Sequence, residues 1–392
     1  MSNPEQPTHT TTPDPRDRVP VGMAVPSLRI AYVTVPKAAC TSMLWGLVGL
    51  ADDRPGVRQG SSDIPEVTPE LTIHDWRTWP ESLTTLDRLP DSVLAEGTDA
   101  AGMSWLVFSA VREPLARLFS AWQSKILCQE PLYVARYGGQ PWFPPPPRST
   151  GEVAEGFAAF VEALGADRSL AVDDWHWISQ VRLLAIDRVR YGCIAGIDRA
   201  EPGTAHTSGL EIQPLDSLVA QVNAHVHDQG SSAVLDLARR NATLLPLSAE
   251  TVSAKTAQLV ADMYEEDYLA LGYEPPSLES AKGLSWEPLL RAVRMLVDRH
   301  ERIADLARIA RERLSKIESL ESANYHARQE SAALQAQVEH LEDERTRLGE
   351  RSRSIEDALE SLVRDREHLE RILHSRTWRW SEPLRRIYAR TR

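Results

Sequence analysis

Lys37 stands at the mouth of a small-residue turn, Pro36-Lys-Ala-Ala-Cys-Thr-Ser42, and a second segment, Arg112-Glu-Pro-Leu-Ala-Arg-Leu-Phe-Ser120, combines arginines with a hydroxyl. These residue types handle anions. A lysine brings a mobile full charge, and an arginine fork beside a serine suits a phosphate monoester. Arg117 and Ser120 lie one helical turn apart, so the spacing lets both serve one phosphate. Two histidines add acid–base chemistry: His74 in LTIHDW and His176 in DDWHWISQ. An unperturbed imidazole titrates near neutral pH, which fits it to take a proton from an attacking hydroxyl. The same residues also have plainer readings: a turn with a stray lysine, an arginine capping a sheet edge, and a surface or core histidine.

The elements that must position these groups are readable. Ile30, Tyr32, Val33 and Val35 form a short β-rich run that Pro36 ends, and Met43, Leu44, Leu47, Val48 and Leu50 continue as an apolar helix. Strand, turn and helix together make an anion cradle, because amides at a helix start point outward and the helix dipole favours negative charge there. It is not a Walker A loop: the turn has no glycine, and the lysine begins it. Trp105 to Val111 reads as a second buried strand, and Pro114 opens a helix with Leu115, Leu118, Phe119 and Trp122 on its core face. Arg112 then sits at the carboxyl edge of a strand, where ligands bind in open parallel sheets.

VPKAACTSM followed by VREPLARLFSAWQSKI resembles the paired donor-binding signatures of sulfotransferases that use 3′-phosphoadenosine 5′-phosphosulfate (PAPS), most closely the carbohydrate group of chondroitin, dermatan and HNK-1 type (sulfotransferase family 2). Phe157-x-x-Phe160-Val161, Asp174-Trp-His176-Trp177, Tyr191-Gly-Cys-Ile-Ala-Gly-Ile-Asp198 and Met263-Tyr264-x-x-Asp267-Tyr268-x-x-x-Gly272-Tyr273 extend the likeness from about Leu28 to Glu274. The resemblance implies an α/β domain of three layers, with a central parallel sheet and a P-loop-like nucleotide site. It implies that Pro36, Lys37, Ala38, Ala39, Cys40, Thr41 and Ser42 cradle the 5′ end of the donor, that Arg112 and Ser120 grip its 3′-phosphate, and that Lys37 neutralises charge on the leaving oxygen without any metal. His74 is the first candidate base, since related uronyl 2-O-sulfotransferases carry a histidine there, and His176 the second. The acceptor implied is a glycan or glycolipid hydroxyl. The cysteine pair that many animal members carry is replaced here by Leu184-Ala-Ile-Asp.

A net charge of −12 excludes a general nucleic-acid binder, so an anion site must be a local pocket. The three cysteines show neither a CxxC spacing nor a disulfide framework. No apolar run is long enough for a membrane span. Residues 1–25 read as a disordered leader, 26–275 as the catalytic domain, 286–374 as a coiled coil and 375–392 as a basic aromatic tail. Leu320, Ala327, Leu334, Leu341, Leu348, Ile355, Leu362 and Leu369 repeat every seventh residue, with Ile317, Val338, Leu359 and Leu373 as companions, which predicts a parallel homodimer. Trp378, Trp380 and the arginines around them suit anionic lipid headgroups, so the expected location is cytoplasmic, at the inner face of the membrane. The rigid Trp142-Phe-Pro-Pro-Pro-Pro147 loop reads either as a roof over the acceptor site or as an insertion. Competing readings are a kinase, which the missing Walker A glycines disfavour, and a coiled-coil scaffold with an inactive head, which Lys37, Arg112 and Ser120 disfavour.

Overall fold

The computed structural model describes residues 20–51, 73–76, 79–204, 211–238 and 243–389. Residues 1–19 of the expected leader, most of the turn-rich stretch 51–70, and Arg390 and Arg392 of the tail lie outside the described residues.

The two β-rich runs form neighbouring strands. Along the chain, β1 (Gly22–Val25), β2 (Ile30–Val33), α1 (Cys40–Leu50), β3 (Thr84–Thr85), α2 (Asp91–Glu96), β4 (Leu106–Val111), α3 (Pro114–Trp122) and α4 (Pro131–Tyr137) come first. They are followed by α5 (Thr150–Ala166), α6 (Arg168–Asp173), α7 (Gln180–Leu184), β5 (Cys193–Gly196), β6 (Gly203–Thr204), β7 (Glu211–Pro214) and α8 (Leu215–Asp228). The strands build one sheet of order β3-β1-β2-β4-β5-β7-β6. β2, β4, β5 and β7 run parallel, in register Tyr32 to Phe108 to Cys193 and Ile194 to Ile212, while β1, β3 and β6 are antiparallel to their neighbours. Every residue of β2 and β4 is buried, as expected for strands covered on both faces.

Helices cover both faces. Met43, Leu44 and Leu47 of α1 and Leu218, Val222 and Val226 of α8 pack on Ile30, Tyr32 and Phe108. A further apolar cluster, built on Trp122, Phe157, Phe160 and Trp177, joins α3 and α5 to α9 (Ala254–Met263) and the start of α11 (Trp286–His374). The fold expected from the sequence, an α/β domain with a central parallel sheet and a long C-terminal helix, is the one observed.

Three details are settled by burial and packing. The boundary drawn at residue 25 cuts through ordered chain, because β1 is a fully buried strand between β2 and β3. The proline-rich loop packs as an insertion: Trp142 lies against Tyr137 and Phe160, and Pro144 against Gly156 of α5. Of the tryptophans flanking His176, Trp177 is core, its indole N–H donating to Leu170 O at 2.7 Å.

By its contacts the chain divides after Arg308. In the first unit, Leu290 and Val293 of α11 are buried in the Trp122–Trp177 cluster, and Val297 is buried as well. The second unit, from Ile309, holds the rest of that 89-residue helix, then α12 (Arg376–Trp380) and α13 (Glu382–Tyr388). There the Arg385 guanidinium lies 3.3 Å from the Trp378 ring centre, and Trp380 is 89% exposed. Among the described residues no helix is long and apolar enough to cross a membrane.

The edge formed by β1 rests on a close approach. A Cβ on Gly22 would sit 1.9 Å from Tyr32 O, whereas one on Gly49, exposed in α1, would meet nothing within 4 Å. Gly22→Ala is expected to destabilise by about 1–3 kcal/mol through forced backbone displacement. Gly49→Ala should stabilise by about 0.5–1 kcal/mol by removing a flexible residue from a helix. Urea denaturation of both variants checks this; equal midpoints would contradict the assigned position of β1.

Candidate active site

The turn after β2 bends sharply without glycine. Lys37 (φ 68°) and Ala39 (φ 59°) both adopt the left-handed conformation that costs an L-residue roughly 1–2 kcal/mol. Ala39 precedes α1 and has no polar side chain with which to cap that helix. Its first turn, Cys40-Thr41-Ser42, therefore presents main-chain N–H groups at the positive end of the helix dipole.

The strained turn is held by Arg117. This side chain is 1% exposed, and its guanidinium donates to three carbonyl oxygens: Pro36 (3.0 Å), Ile178 (2.8 Å) and Trp175 (3.1 Å). The phosphate-binding role that its spacing from Ser120 suggests is thus corrected: Arg117 is committed to the backbone. One arginine joins the lysine turn to the segment that carries His176.

Arg112, at the end of β4, is positioned through its own peptide. Its N–H donates to Gln180 Oε1 (3.0 Å), and Gln180 Nε2 donates to Arg112 O (2.7 Å). Gln180 opens α7, whose start is capped by the buried Asp267 of α10 (Glu265–Leu271), which accepts from Ser179 Oγ (2.7 Å), Gln180 N (2.8 Å) and Val181 N (2.9 Å). Next to Arg112, Glu113 caps α3 by accepting from the amides of Leu115 and Ala116, and it also accepts from the Tyr268 hydroxyl. Burial raises the Glu113 carboxyl, although these hydrogen bonds oppose the shift.

These elements enclose one cavity of about 640 Å³. Pro36, Lys37, Ala39, Cys40, Thr41 and Ser42 are in its lining with Arg112 and Ser120, and so are His74, Lys125, Glu130, Trp175 and His176. Of the residues that the resemblance assigns to the donor and the base, Ala38 alone is absent from the lining, since it packs into the apolar cluster behind the turn.

Lys37 Nζ donates to Ser124 Oγ at 2.9 Å. Burial first, and then the charge of Lys125, pull its ammonium down to about 8. His74 Nε2 lies 3.0 Å from Thr41 Oγ1, and burial together with Lys125 and Lys37 depresses it to about 4. His176 is differently supported. Its Nδ1 lies 2.6 Å from Asp174 Oδ1 and 2.9 Å from the Tyr133 oxygen, while the Tyr133 hydroxyl donates to Asp174 Oδ2 (2.7 Å). With oxygen acceptors around Nδ1, that nitrogen carries the hydrogen and Nε2 keeps its lone pair. Burial lowers His176 to about 3 against the opposing pull of Asp174, and Asp174 itself is held at about 2, its hydrogen bonds to His176 outweighing desolvation.

The model of the sulfotransferase family matches residues 23–274, which contain every one of these groups. The chain belongs to the sulfotransferase family. Neither the curated proteins nor the solved structures compared with it give a match. Membership supports sulfuryl transfer as the general activity, and it gives the sulfotransferase domain one boundary just inside β1. The closing motif is structural support in this sulfotransferase: Asp267, Tyr268 and Tyr273 act on Gln180, Glu113 and Asp198 around Arg112.

The sequence reading passes over Ser124, Lys125, Glu130 and Tyr133. Ser124 and Lys125 occupy the end of the second motif, on a single π-helical turn, Gln123–Leu127, where an added residue re-aims side chains. Glu130 and Tyr133 carry no motif; Lys125 pairs with Glu130 at 2.6 Å and lies over the Tyr133 ring.

Two buried neutral histidines tie stability to pH. Below about 6.5 the unfolded chain takes up protons that folded His74 and His176 refuse until about 4 and about 3. The unfolded state then binds more protons, so stability falls as pH falls through that window. His176→Gln should flatten the dependence of the urea midpoint on pH between about 7 and 4.5. An unchanged slope would mean that this histidine is protonated in the folded protein.

Proposed function

We propose that this protein transfers the sulfuryl group of PAPS to a hydroxyl of a carbohydrate or glycolipid. The observation that carries the reading is one cavity lined by the lysine turn, by Arg112 and Ser120, and by a histidine whose Nδ1 is tied to a carboxylate. Three cationic side chains and a helix start with alanine at its N-cap fit a donor with anionic groups at both ends. Arg112 and Ser120 take the 3′-phosphate; the amides of Cys40, Thr41 and Ser42 and the Thr41 hydroxyl take the 5′ end. The acceptor oxygen attacks sulfur as the bond from sulfur to the phosphate oxygen breaks, and Lys37 meets the charge that grows on that oxygen.

For the base, we infer His176 ahead of His74. The geometry favours the reverse of the order suggested by the sequence, because His176 Nε2 is the nitrogen left with a lone pair while His74 Nε2 is engaged by Thr41. Asp174 orients the ring and stabilises the imidazolium once the proton arrives. Burial depresses His176 most and the charges of Lys125 and Lys37 add to it; an anionic donor beside the lysines offsets their share and so favours the base. Trp175 offers an aromatic face for a sugar ring. The tail residues Trp378, Trp380 and Arg386 fit an anionic membrane surface, where a glycolipid acceptor would be presented.

Transfer of labelled sulfate from PAPS to glycans and glycolipids, with products identified by mass spectrometry, tests the activity; the absence of transfer to any of them would oppose it. Lys37→Ala should abolish turnover while retaining affinity for 3′,5′-adenosine bisphosphate, since its charge acts on the transition state. Arg112→Ala and Ser120→Ala should instead weaken that affinity, read by calorimetry. His176→Gln should lower turnover by about 10²–10⁴-fold, and more than His74→Gln does. The opposite order returns the role to His74.

A further inference from the structure

The second unit carries an unspent apolar surface. Along α11 the d ladder and the apolar a positions from Ile317 to Leu373 are between 48% and 66% exposed among the large aliphatic side chains. What fits that stripe is written in the positions that are not apolar. The a layer follows a rule of three heptads: Ile317-Asn324-Ser331, then Val338-Arg345-Ser352, then Leu359-Arg366-Leu373, with Ile-Glu-Ser-Leu320, Val-Glu-His-Leu341 and Leu-Glu-Ser-Leu362 opening the three blocks.

We propose that α11 pairs with a second copy of this chain as a parallel, in-register two-stranded coiled coil, specified by its polar a layers and the acidic residue that precedes each arginine.

In a parallel pair each a side chain enters a hole of four residues on the facing helix, one of which is the g residue just before the facing a. Arg345 then meets Glu344 of the second copy, and Arg366 meets Asp365. The flanking g-to-e contacts agree: Lys316 faces Glu321, and Arg351 faces Glu356. The exception is Asp365, which faces Glu370; Arg366 lies between the two carboxylates and already pairs with Glu370 within its own helix at 3.1 Å. Asn324 meets Asn324, an amide pair that fixes register and strand number. The antiparallel arrangement fails on the same residues. There each a faces a d, so Asn324 and both arginines would point at the leucines of an apolar ladder, without partners. A three- or four-stranded core would bring three or four copies of each arginine to a closed axis, remote from the g carboxylates. Among parallel registers, a slip of three heptads keeps like layers together but leaves one block of each helix bare, so the unslipped pairing buries most.

The full chain tests this with cysteines at a positions. Asn324→Cys and Ser352→Cys, made separately and oxidised, should each give a disulfide-linked dimer, because only a parallel in-register pair brings both positions face to face. Cys40, Cys128 and Cys193 are buried, so the unsubstituted chain should stay uncrosslinked. Sedimentation should give a dimer at micromolar concentration. Arg345→Glu with Arg366→Glu should raise the dimer dissociation constant by about tenfold or more. Adding Glu344→Arg and Asp365→Arg should restore it, which separates pairing from simple loss of helix. A monomer, a higher oligomer, cross-linking at one position only, or cross-linking that requires Ser331→Cys mixed with Ser352→Cys would each overturn the proposal.

Discussion

A buried guanidinium has few places to put its hydrogens, and in this protein those places determine the site. Arg117 is packed beneath the sheet's carboxyl edge, where Asp267 and Asp174 oppose the effect of burial on its charge. Its donors reach carbonyls of two segments that otherwise have no reason to meet, the turn before α1 and the stretch from Trp175 to Ile178. The strain of two left-handed non-glycine residues is sustained because the carbonyl just before them is tied down. Donor cradle and histidine therefore share one mechanical reference.

The cavity built on that reference is electrostatically unfinished. Burial lowers the Lys37 ammonium, with the charges of Lys125 and Arg112 adding to it, and burial with the two lysines behind it keeps both histidines neutral. Like charges confined in a poorly solvated space are costly, and an anion relieves all of them together. The proposed anionic donor would meet these charges, and the lysines' share of the His176 shift would then be relieved.

Much of this was legible in the sequence. The strands β2 and β4 and the helices after them announce themselves through dense apolar runs ended by Pro36 and opened by Pro114, and a lysine or arginine at such an exit has a position in any parallel sheet. What was not legible depends on burial and on long-range contact. Spacing places Arg117 beside Ser120 but says nothing of which side faces solvent. β1 is four small or apolar residues after a polar leader, too short for periodicity to register. Tyr133 joins Asp174 and His176 across 41 and 43 residues of chain, through a hydroxyl that no local pattern marks. The proline-rich loop was ambiguous because rigidity serves a lid and a packed insertion equally.

The three carbonyls held by Arg117 lie 81, 61 and 58 residues from it in sequence. The central strands close loops just as long, Ile30 pairing with Leu106 and Phe108 with Cys193, so the turn is tied down only as the sheet itself assembles, after the local helices. A partly folded chain can thus own most of its local helices while the cavity is still unbuilt. Any ligand of the completed cavity binds the native state alone, and stabilises it by an amount that grows with the logarithm of ligand concentration. The supply of such a ligand then becomes a determinant of how long each molecule survives in the folded form, quite apart from how fast it turns over.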